Sequence, residues 1–277
     1  MRSQAVRKLH AMAKDWSKDL ALALELARVA EREILPRYRQ VAVDIKADGT
    51  EVTEADRSAE AAVRKELASA RPDDAVLGEE HGGTLTGGRC WVIDPVDGTA
   101  WFTLGLPLFG TLISLVEDGE PVVGVIHHAA IGETVYAAKG AGCFFTAPGI
   151  AATRVQVSAA VGLKDSIGSA SGLHASSVFP TKGLPAYQVA ELAAKTRKFR
   201  FCGDCGQHGL VARGRLHFAI DTVMKAWDIA ALVPCVEEAG GVTASLRGER
   251  KGILETGSLI SASSPEMRDA VLAAIAP

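Results

Sequence analysis

The sequence has 277 residues, 48% of them hydrophobic and 23% charged, which is enough apolar material for one large domain or two closely packed halves. Its formal net charge of -3 excludes a nucleic-acid binder that works through bulk positive charge, because such a protein carries a basic face. Its apolar stretches are all shorter than the roughly 20 residues that a membrane-spanning helix needs. We therefore expect a globular protein with no nucleic-acid or membrane partner.

The N-terminus and the cysteines indicate the compartment. Arg2, Arg7 and Lys8 make the N-terminus basic, but no apolar signal-peptide core follows them. Five cysteines, an odd number scattered through the chain, are typical of reduced thiols rather than of a disulfide framework. Cys202 and Cys205 form a C-x-x-C pair, but no second pair or suitably spaced histidine completes a zinc site. We expect a cytoplasmic protein.

Two amphipathic helices are predicted near the start of the chain. Apolar residues recur at helical spacing over residues 19–37, and this pattern ends near Pro36. The same spacing recurs over residues 54–70, where Thr53 precedes an acidic first turn that contains Asp56. Asp56 is therefore expected at a helix start, beside the preceding loop.

Short apolar runs predict strands at residues 75–77, 91–93 and 110–116, and acidic residues follow the first two. Residues 121–137 alternate β-branched and small side chains around Ala130-Ile131-Gly132, as in a hairpin. The pattern then weakens, and strands at 155–157 and 166–169 and a helix at 184–196 are expected.

The C-terminal part has clearer signals. Residues 206–213, 227–239 and 265–274 predict helices, the second of which ends at Gly240-Gly241, and residues 216–221 and 257–262 predict strands. No internal repeat or Pro-rich linker divides the chain. We predict one domain over residues 1–277 with a layered α+β fold of sheets and helices, in approximate halves 1–150 and 151–277.

The stretch Asp94-Pro95-Val96-Asp97-Gly98-Thr99 carries the most chemical information. Two carboxylates leave an apolar strand together and enter a Pro and Gly turn, which can aim both at one cation. Hard divalent ions such as magnesium prefer oxygen ligands, and carboxylates with the Val96 carbonyl suit them. The backbone N–H groups of Gly98 and Thr99 and the Thr99 hydroxyl are suited to phosphate oxygens. The alternative is an ordinary turn, since Asp, Pro and Gly dominate turns.

Two further carboxylates strengthen the metal interpretation. Gly78-Glu79-Glu80 places a glutamate at a strand end, and Trp227-Asp228 places an aspartate at a helix start. Taken singly, each has an ordinary explanation, because surface carboxylates are mostly solvated and an aspartate at a helix start is mostly a cap.

Together these motifs resemble the inositol monophosphatase superfamily of magnesium-dependent phosphatases. The resemblance extends over most of the chain in four ordered blocks: Lys46-Ala-Asp-Gly-Thr-Glu-Val-Thr-Glu-Ala-Asp56, Gly78-Glu-Glu80, Trp91-Val-Ile-Asp-Pro-Val-Asp-Gly-Thr99 with Phe102, and Trp227-Asp-Ile-Ala-Ala231 through Glu238-Ala-Gly-Gly241. It implies a layered αβαβα fold, a homodimer, and two or three Mg²⁺ ions per site.

The resemblance also implies roles for individual residues. Glu79, Asp94 and the Val96 carbonyl would hold the first metal ion, Asp94, Asp97 and Asp228 the second, and Glu79 would assist a weaker third. Asp56 and Thr99, with Glu79, would form the catalytic set that orients the attacking water. The substrate side would comprise Asp97, Gly98, Thr99, Gly203, Asp204, Asp221 and Asp228.

The substrate is a small phosphate monoester on this reading. Gly105-Leu-Pro107 and Gly203-Asp204-Cys205 are more similar to the histidinol-phosphate phosphatase branch than to the inositol branch. Two positions depart from the family pattern: Leu106 stands where that branch commonly has a basic residue, and Asp221 where both branches usually have Glu. A carboxylate shortened by one methylene retracts its oxygens by about an ångström, which is enough to lose a direct hydrogen bond.

Three other functions fit the same motifs. The chain is alternatively an inositol 1-monophosphatase, or a sugar bisphosphatase or nucleotide phosphatase that uses the basic run Lys195, Arg197, Lys198 and Arg200 for a second phosphate. A non-catalytic phosphate or metal sensor is the remaining alternative, and the loss of a ligand carboxylate would favour it. None of the five is missing.

Overall fold

The structure is a computed structural model that describes residues 14–40, 42–46 and 49–277, so the basic N-terminal residues Arg2, Arg7 and Lys8 lie outside the described residues. The helices are α1 (Ser17–Ile34), α2 (Glu54–Ala70), α3 (Thr99–Thr103), α4 (Val189–Ala194), α5 (Asp204–Ala212), α6 (Ala226–Ala230), α7 (Leu232–Glu238) and α8 (Pro265–Ile275). The strands are β1 (Val43–Ile45), β2 (Glu51–Thr53), β3 (Ala75–Gly78), β4 (Arg89–Asp97), β5 (Gly110–Glu117), β6 (Glu120–His128), β7 (Glu133–Ala138), β8 (Gly142–Ala147), β9 (Ile150–Val155), β10 (Ile167–Ala170), β11 (Lys198–Phe201), β12 (Phe218–Asp221), β13 (Val242–Ala244) and β14 (Leu259–Ala262).

Two sheets organise the described residues. The larger has the order β3-β4-β5-β6-β7-β8-β9, in which β3 and β4 are parallel and every later pair is antiparallel. The smaller has the order β11-β10-β12-β14-β13, with β10 parallel to both of its neighbours. Strands β1 and β2 form a separate hairpin beside the start of α2.

Helices cover both faces of the two sheets. On the outer face of the larger sheet lie α1 and α2, whose apolar stripes bury Leu26 and Val63 against strand residues such as Trp91. Between the sheets lie α5, α6 and α7, and α4 with α8 covers the outer face of the smaller sheet. Because strand β5 is covered on both faces, its apolar run is buried almost throughout. The order of layers is αβαβα, which confirms the predicted fold class.

Most predicted elements of the first half are confirmed. The helix predicted at 54–70 has these bounds, and the helix predicted at 19–37 ends as a 3₁₀ turn (Leu35–Arg37) that contains Pro36. The predicted hairpin is formed by β6 and β7. Among the described helices, none is both long enough and apolar enough to traverse a bilayer, and all five cysteines are free thiols.

Two helix predictions in the second half are wrong in extent. The helix expected at 184–196 forms only over α4, because the Tyr187 N–H donates to the Ala175 carbonyl in a β-bridge rather than to a helical turn. The helix expected at 227–239 is divided into α6 and α7. Pro234 has no N–H for the Ala230 carbonyl, which accepts a hydrogen bond from the Ser114 hydroxyl at 3.0 Å instead.

Several strands were not predicted. They are β1, β2, β8, β11, β13 and most of β9, where the sequence predicted a strand at 155–157 instead. Strands β1 and β9 are exposed along their length or nearly so, and an exposed strand lacks the alternation of apolar and polar residues that reveals a half-buried one.

Candidate functional site

A bulge in strand β4 brings Asp94 and Asp97 to the same side of the sheet. Side chains three residues apart on a regular strand point to opposite faces. Here Asp94 pairs with Leu112 and Asp97 with Gly110, so β4 has one more residue than β5 between these pairs. The extra residue restores a common direction for the two carboxylates, as β-bulges do next to many active sites.

Two helix starts hold further carboxylates by the same device. Asp56 is the third residue of α2, and its Oδ2 accepts the Thr53 N–H at 2.8 Å and the Thr53 hydroxyl at 2.5 Å. Asp228 is the third residue of α6, and its Oδ2 accepts the Lys225 N–H at 2.6 Å. Each capping contact fixes one oxygen and thereby orients the other.

The carboxylates converge on one cavity. An oxygen of each of Asp94, Asp97 and Asp228 lies within 4.8 Å of the others. The cavity has a volume of about 390 Å³ and is lined by Gly49, Thr50, Glu51, Glu79, Asp94, Val96, Asp97, Gly98, Thr99, Ala100, Asp204 and Asp228. The tertiary structure therefore brings together most of the predicted site residues from β4, α3, α5, α6 and the end of β3.

The cluster is electrostatically unfavourable without a cation. Burial raises the pKa of Asp94 well above its ordinary value, and the charges of Glu79, Asp97 and Asp228 raise it further. The pKa of Asp97 is also raised, by burial and by the charges of Asp204 and Asp228. Burial raises the pKa of Asp228 to about 7, and the charge of Glu79 adds to this effect.

This arrangement fits a hard divalent cation. Within the described part of the chain, Asp94 Oδ1 is buried and has no hydrogen-bond partner. A buried carboxylate oxygen without a partner is unfavourable, and it needs either a proton or a metal ion. The surrounding ligand atoms are all oxygens, which magnesium, calcium and manganese prefer over zinc or copper.

Lys46 lies between the two glutamates that follow β3. Its Nζ donates to Glu79 Oε1 at 2.8 Å and to Glu80 Oε1 at 2.6 Å. Burial lowers the pKa of Lys46, but its hydrogen bonds to both glutamates outweigh burial and raise it. Lys46 thus supplies a positive charge at the edge of the acidic cavity, rather than being the exposed lysine that its position in a polar loop suggested.

Thr99 lies between two of the predicted catalytic groups. Its hydroxyl lies 3.0 Å from the Val96 carbonyl oxygen and 3.4 Å from Asp56 Oδ1. One hydroxyl proton can be donated to only one of these acceptors. Burial raises the pKa of Asp56, while hydrogen bonds from Thr53 oppose that rise.

The opposite wall of the cavity is formed by Asp204 at the start of α5. Gly98 has φ of +82°, and a Cβ at that position would lie 2.8 Å from Asp204 Oδ2. The Trp101 indole donates to Asp204 and also lies against Gly203, where a Cβ would be 2.4 Å from the indole Nε1. Burial and the charge of Asp221 raise the pKa of Asp204 to about 7.

Asp221 does not line this cavity. Its side chain is buried behind Asp204, and its Oδ2 accepts from Gln207 Nε2 at 2.6 Å and contacts His208 Nε2 at 2.8 Å. His208 in turn contacts the Ser261 hydroxyl at 2.8 Å. Asp221 therefore has internal partners and faces the site through Asp204.

The other residues that the sequence singled out lie outside the cavity. His127 and His128 are hydrogen-bonded to Thr134 and to the Phe109 carbonyl, and burial lowers the pKa of both rings. Lys195, Arg197, Lys198 and Arg200 lie on α4, β11 and the turn between them, away from the residues that line the cavity. The backbone N–H of Cys205, rather than its thiol, contacts the site, because it donates to Asp97 Oδ2 at 2.6 Å.

Sequence reasoning missed Glu60, which is fully buried in α2 below the loop that carries Glu79. Its spacing of four residues from Asp56 places both on one side of the helix, and this spacing was the available signal.

Comparisons with known proteins agree with this geometry. Residues 15–276 match the model of the inositol monophosphatase family. A histidinol-phosphatase of Chlorobaculum parvum is 39% identical over 263 residues, covering 92% of this chain and 96% of that protein, and one of Mycobacterium tuberculosis is 40% identical over 233 residues, covering 83% and 88%. A solved structure of an inositol monophosphatase from Zymomonas mobilis superimposes with a TM-score of 0.80 at 32% identity, covering 95% of this chain and 99% of that one. The chain belongs to the inositol monophosphatase family.

Proposed function

We propose that this protein is a magnesium-dependent phosphomonoesterase that hydrolyses histidinol phosphate to histidinol and phosphate. The observation that carries the proposal is the all-oxygen cluster of Asp94, Asp97 and Asp228, in which Asp94 Oδ1 lacks a partner among the described residues. The histidinol-phosphatases of C. parvum and M. tuberculosis, at 39% and 40% identity, support the choice of substrate.

The cavity offers ligands for two or three Mg²⁺ ions. Glu79, Asp94 and the Val96 carbonyl would hold one ion, Asp94, Asp97 and Asp228 a second, and Glu79 would contribute to a weaker third. When bound, magnesium supplies a Lewis acid that lowers the pKa of water and offsets negative charge on the phosphoryl oxygens.

Asp56 and Thr99 orient the attacking water and accept its proton. When Thr99 donates its hydroxyl proton to Asp56, its oxygen is free to accept a hydrogen bond from that water. The raised pKa of Asp56 makes its carboxylate a better proton acceptor. The water oxygen forms a bond to phosphorus as the ester P–O bond breaks, the water proton moves to Asp56, and the leaving alkoxide takes a proton from solvent.

Asp204 supports an amino alcohol as the leaving group. It faces the same cavity as the metal-binding carboxylates, and its raised pKa shows that a cation beside it would be stabilised. Histidinol phosphate carries an ammonium group near its phosphate ester, whereas inositol phosphates offer only hydroxyl groups. Inositol 1-phosphate is the second candidate, because the Zymomonas mobilis inositol monophosphatase shares the fold at 32% identity.

We propose a homodimer in a reducing, cytoplasmic compartment. Leu104, Leu106 and Leu108 are exposed to 70%, 41% and 40%, which is unusual for three apolar side chains on one short segment. Leu108 also lines an apolar hollow of about 350 Å³ with Ile131 and Phe201. A Leu108→Asp variant that remains dimeric in light scattering would contradict this interface, and the five free thiols support the compartment.

The test of the function is phosphate release from histidinol phosphate, inositol 1-phosphate, fructose 1,6-bisphosphate and adenosine 3′,5′-bisphosphate, with magnesium and with excess chelator. We expect turnover of histidinol phosphate above all others and its loss in chelator. Turnover of another ester alone would remove histidinol phosphate as the substrate, and turnover that persists in chelator would remove the metal.

A further inference from the structure

Glu60 makes a set of contacts directly beneath the loop that carries Glu79. Its side chain is fully buried, with both oxygens turned toward the loop that follows β3. Oε2 accepts the Glu80 N–H at 2.7 Å, and Oε1 accepts the His81 N–H at 3.2 Å. One carboxylate thus binds the two backbone amides that come immediately after Glu79.

Arg64 completes this clamp. Its Nε donates to Glu60 Oε1 at 2.7 Å, and its Nη2 donates to the Gly82 carbonyl. The same Gly82 carbonyl accepts the Gly78 N–H at 3.0 Å. The Glu60–Arg64 pair on α2 therefore holds both ends of the 78–82 turn.

Gly78 leaves the space that this clamp occupies. A Cβ at residue 78 would lie 2.0 Å from Glu60 Oε1 and 2.3 Å from its Cδ. The backbone of Gly78 does not have a positive φ, so the conformation itself would admit other residues. The glycine of the Gly78-Glu79-Glu80 motif is thus required by the close approach of Glu60.

We infer that Glu60 is a positioning residue that sets the location of Glu79 for metal binding. The inference rests on the proposed function, in which Glu79 is a magnesium ligand. The Glu79 backbone is held on one side by its own N–H bond to the Ile93 carbonyl at 3.2 Å, and on the other by the two amides that Glu60 binds. Without Glu60, two buried N–H groups lose their acceptor, and the loop that carries Glu79 is free to shift.

The first experiment measures Mg²⁺ binding by titration calorimetry on the whole chain, with wild type, Glu60→Gln, Glu79→Gln and the control Glu66→Gln. Glu66 is an exposed residue of the same helix, so its variant makes the same chemical change away from the loop. Gln has one acceptor oxygen, so Glu60→Gln cannot serve both amides as the carboxylate does. We expect Mg²⁺ affinity to fall about tenfold in Glu60→Gln, since partners that orient metal ligands typically have this effect.

A second readout separates positioning from general stability. At saturating magnesium, Glu60→Gln should recover the wild-type kcat and KM for the phosphate ester, whereas a merely structural defect would lower the melting temperature in chelator and leave Mg²⁺ affinity unchanged. The latter result overturns the inference.

A double-mutant cycle tests the shared contact. Gly78→Ala alone should weaken Mg²⁺ binding, because its methyl group displaces the Glu60 carboxylate, but it should cause no further loss in a Glu60→Ala background. Additive losses would show that the two residues act separately and would overturn the inference.

The Glu79→Gln variant distinguishes the two failures. If Glu79→Gln loses Mg²⁺ affinity while Glu60→Gln binds like Glu66→Gln, the role of Glu60 is wrong and the proposed site stands. If Glu79→Gln binds magnesium like wild type, the proposed ligand set itself is wrong.

Discussion

Magnesium should protect this protein against thermal unfolding more strongly at pH 7 than at pH 5.5. The pKa of Asp228, a proposed ligand, is raised to about 7 in the fold, whereas the ordinary value is 3.8. The metal-free fold therefore keeps this proton up to about pH 7, and the unfolded chain releases it near pH 4. The contribution of Asp228 to metal-free stability is therefore full below pH 4 and is lost as the pH rises toward 7.

A metal ion must displace the same proton, so its apparent affinity rises with pH over this window. From pH 5.5 to pH 7 the displacement of one proton with a pKa of about 7 raises the affinity about 15-fold. This factor corresponds to about 1.6 kcal/mol at 1.36 kcal/mol per unit. For a domain of this size, that gain should raise the melting temperature by about 3 to 6 °C. Asp94, whose pKa is also raised, acts in the same direction.

Scanning calorimetry at pH 5.5, 6, 6.5 and 7, in chelator and in excess magnesium at equal ionic strength, measures this effect. The difference between the two melting temperatures at each pH largely cancels the contribution of buried histidines such as His127 and His128, which titrate in both samples. We expect the difference to grow steadily toward pH 7. A magnesium-induced shift that is constant with pH, or larger at pH 5.5, would refute the assignment of raised carboxylate pKa values to the metal site.

Three further predictions concern single residues. Asp94→Asn should abolish Mg²⁺ binding in calorimetry and phosphate release, yet raise the melting temperature in chelator at pH 7.5, because it removes a buried charge with no partner in the described chain; retained magnesium binding would contradict this role. Gly98→Ala should destabilise the fold by about 1 kcal/mol, because φ is +82° and the added Cβ meets Asp204, and an unchanged midpoint in urea would count against it. Asp204→Asn should raise KM for histidinol phosphate about tenfold through the loss of a charge-assisted contact but leave β-glycerophosphate unaffected; equal losses for both esters would show that Asp204 does not recognise the ammonium group.

The predicted fold was accurate where one local pattern determined the element. Helix α2 combines regular apolar spacing with a capping residue, Thr53, and its predicted bounds are those observed. The break between α6 and α7 was missed although Pro234 was visible, because an early proline is tolerated in a helix when a distant group such as Ser114 satisfies the freed carbonyl. Strand pairing by exposed segments such as β9 likewise depends on a distant neighbour.

The candidate site divides in the same way. Its carboxylates could be named in advance because Asp, Glu and Gly recur in short motifs at strand ends and helix starts. Their common direction could not, since Asp94 and Asp97 point the same way only through a bulge against β5. The internal partners of Asp221 and the clamp that Glu60 forms beneath Glu79 were equally invisible.

The sequence by itself determined the chemistry of this protein, because oxygen ligands and a phosphate-binding turn are properties of residue types and short spacings. Only the tertiary structure decided which of those groups share a cavity and which face inward. Burial, bulges and hydrogen bonds between segments far apart in the chain set both the positions and the pKa values of the carboxylates, and no local pattern records them.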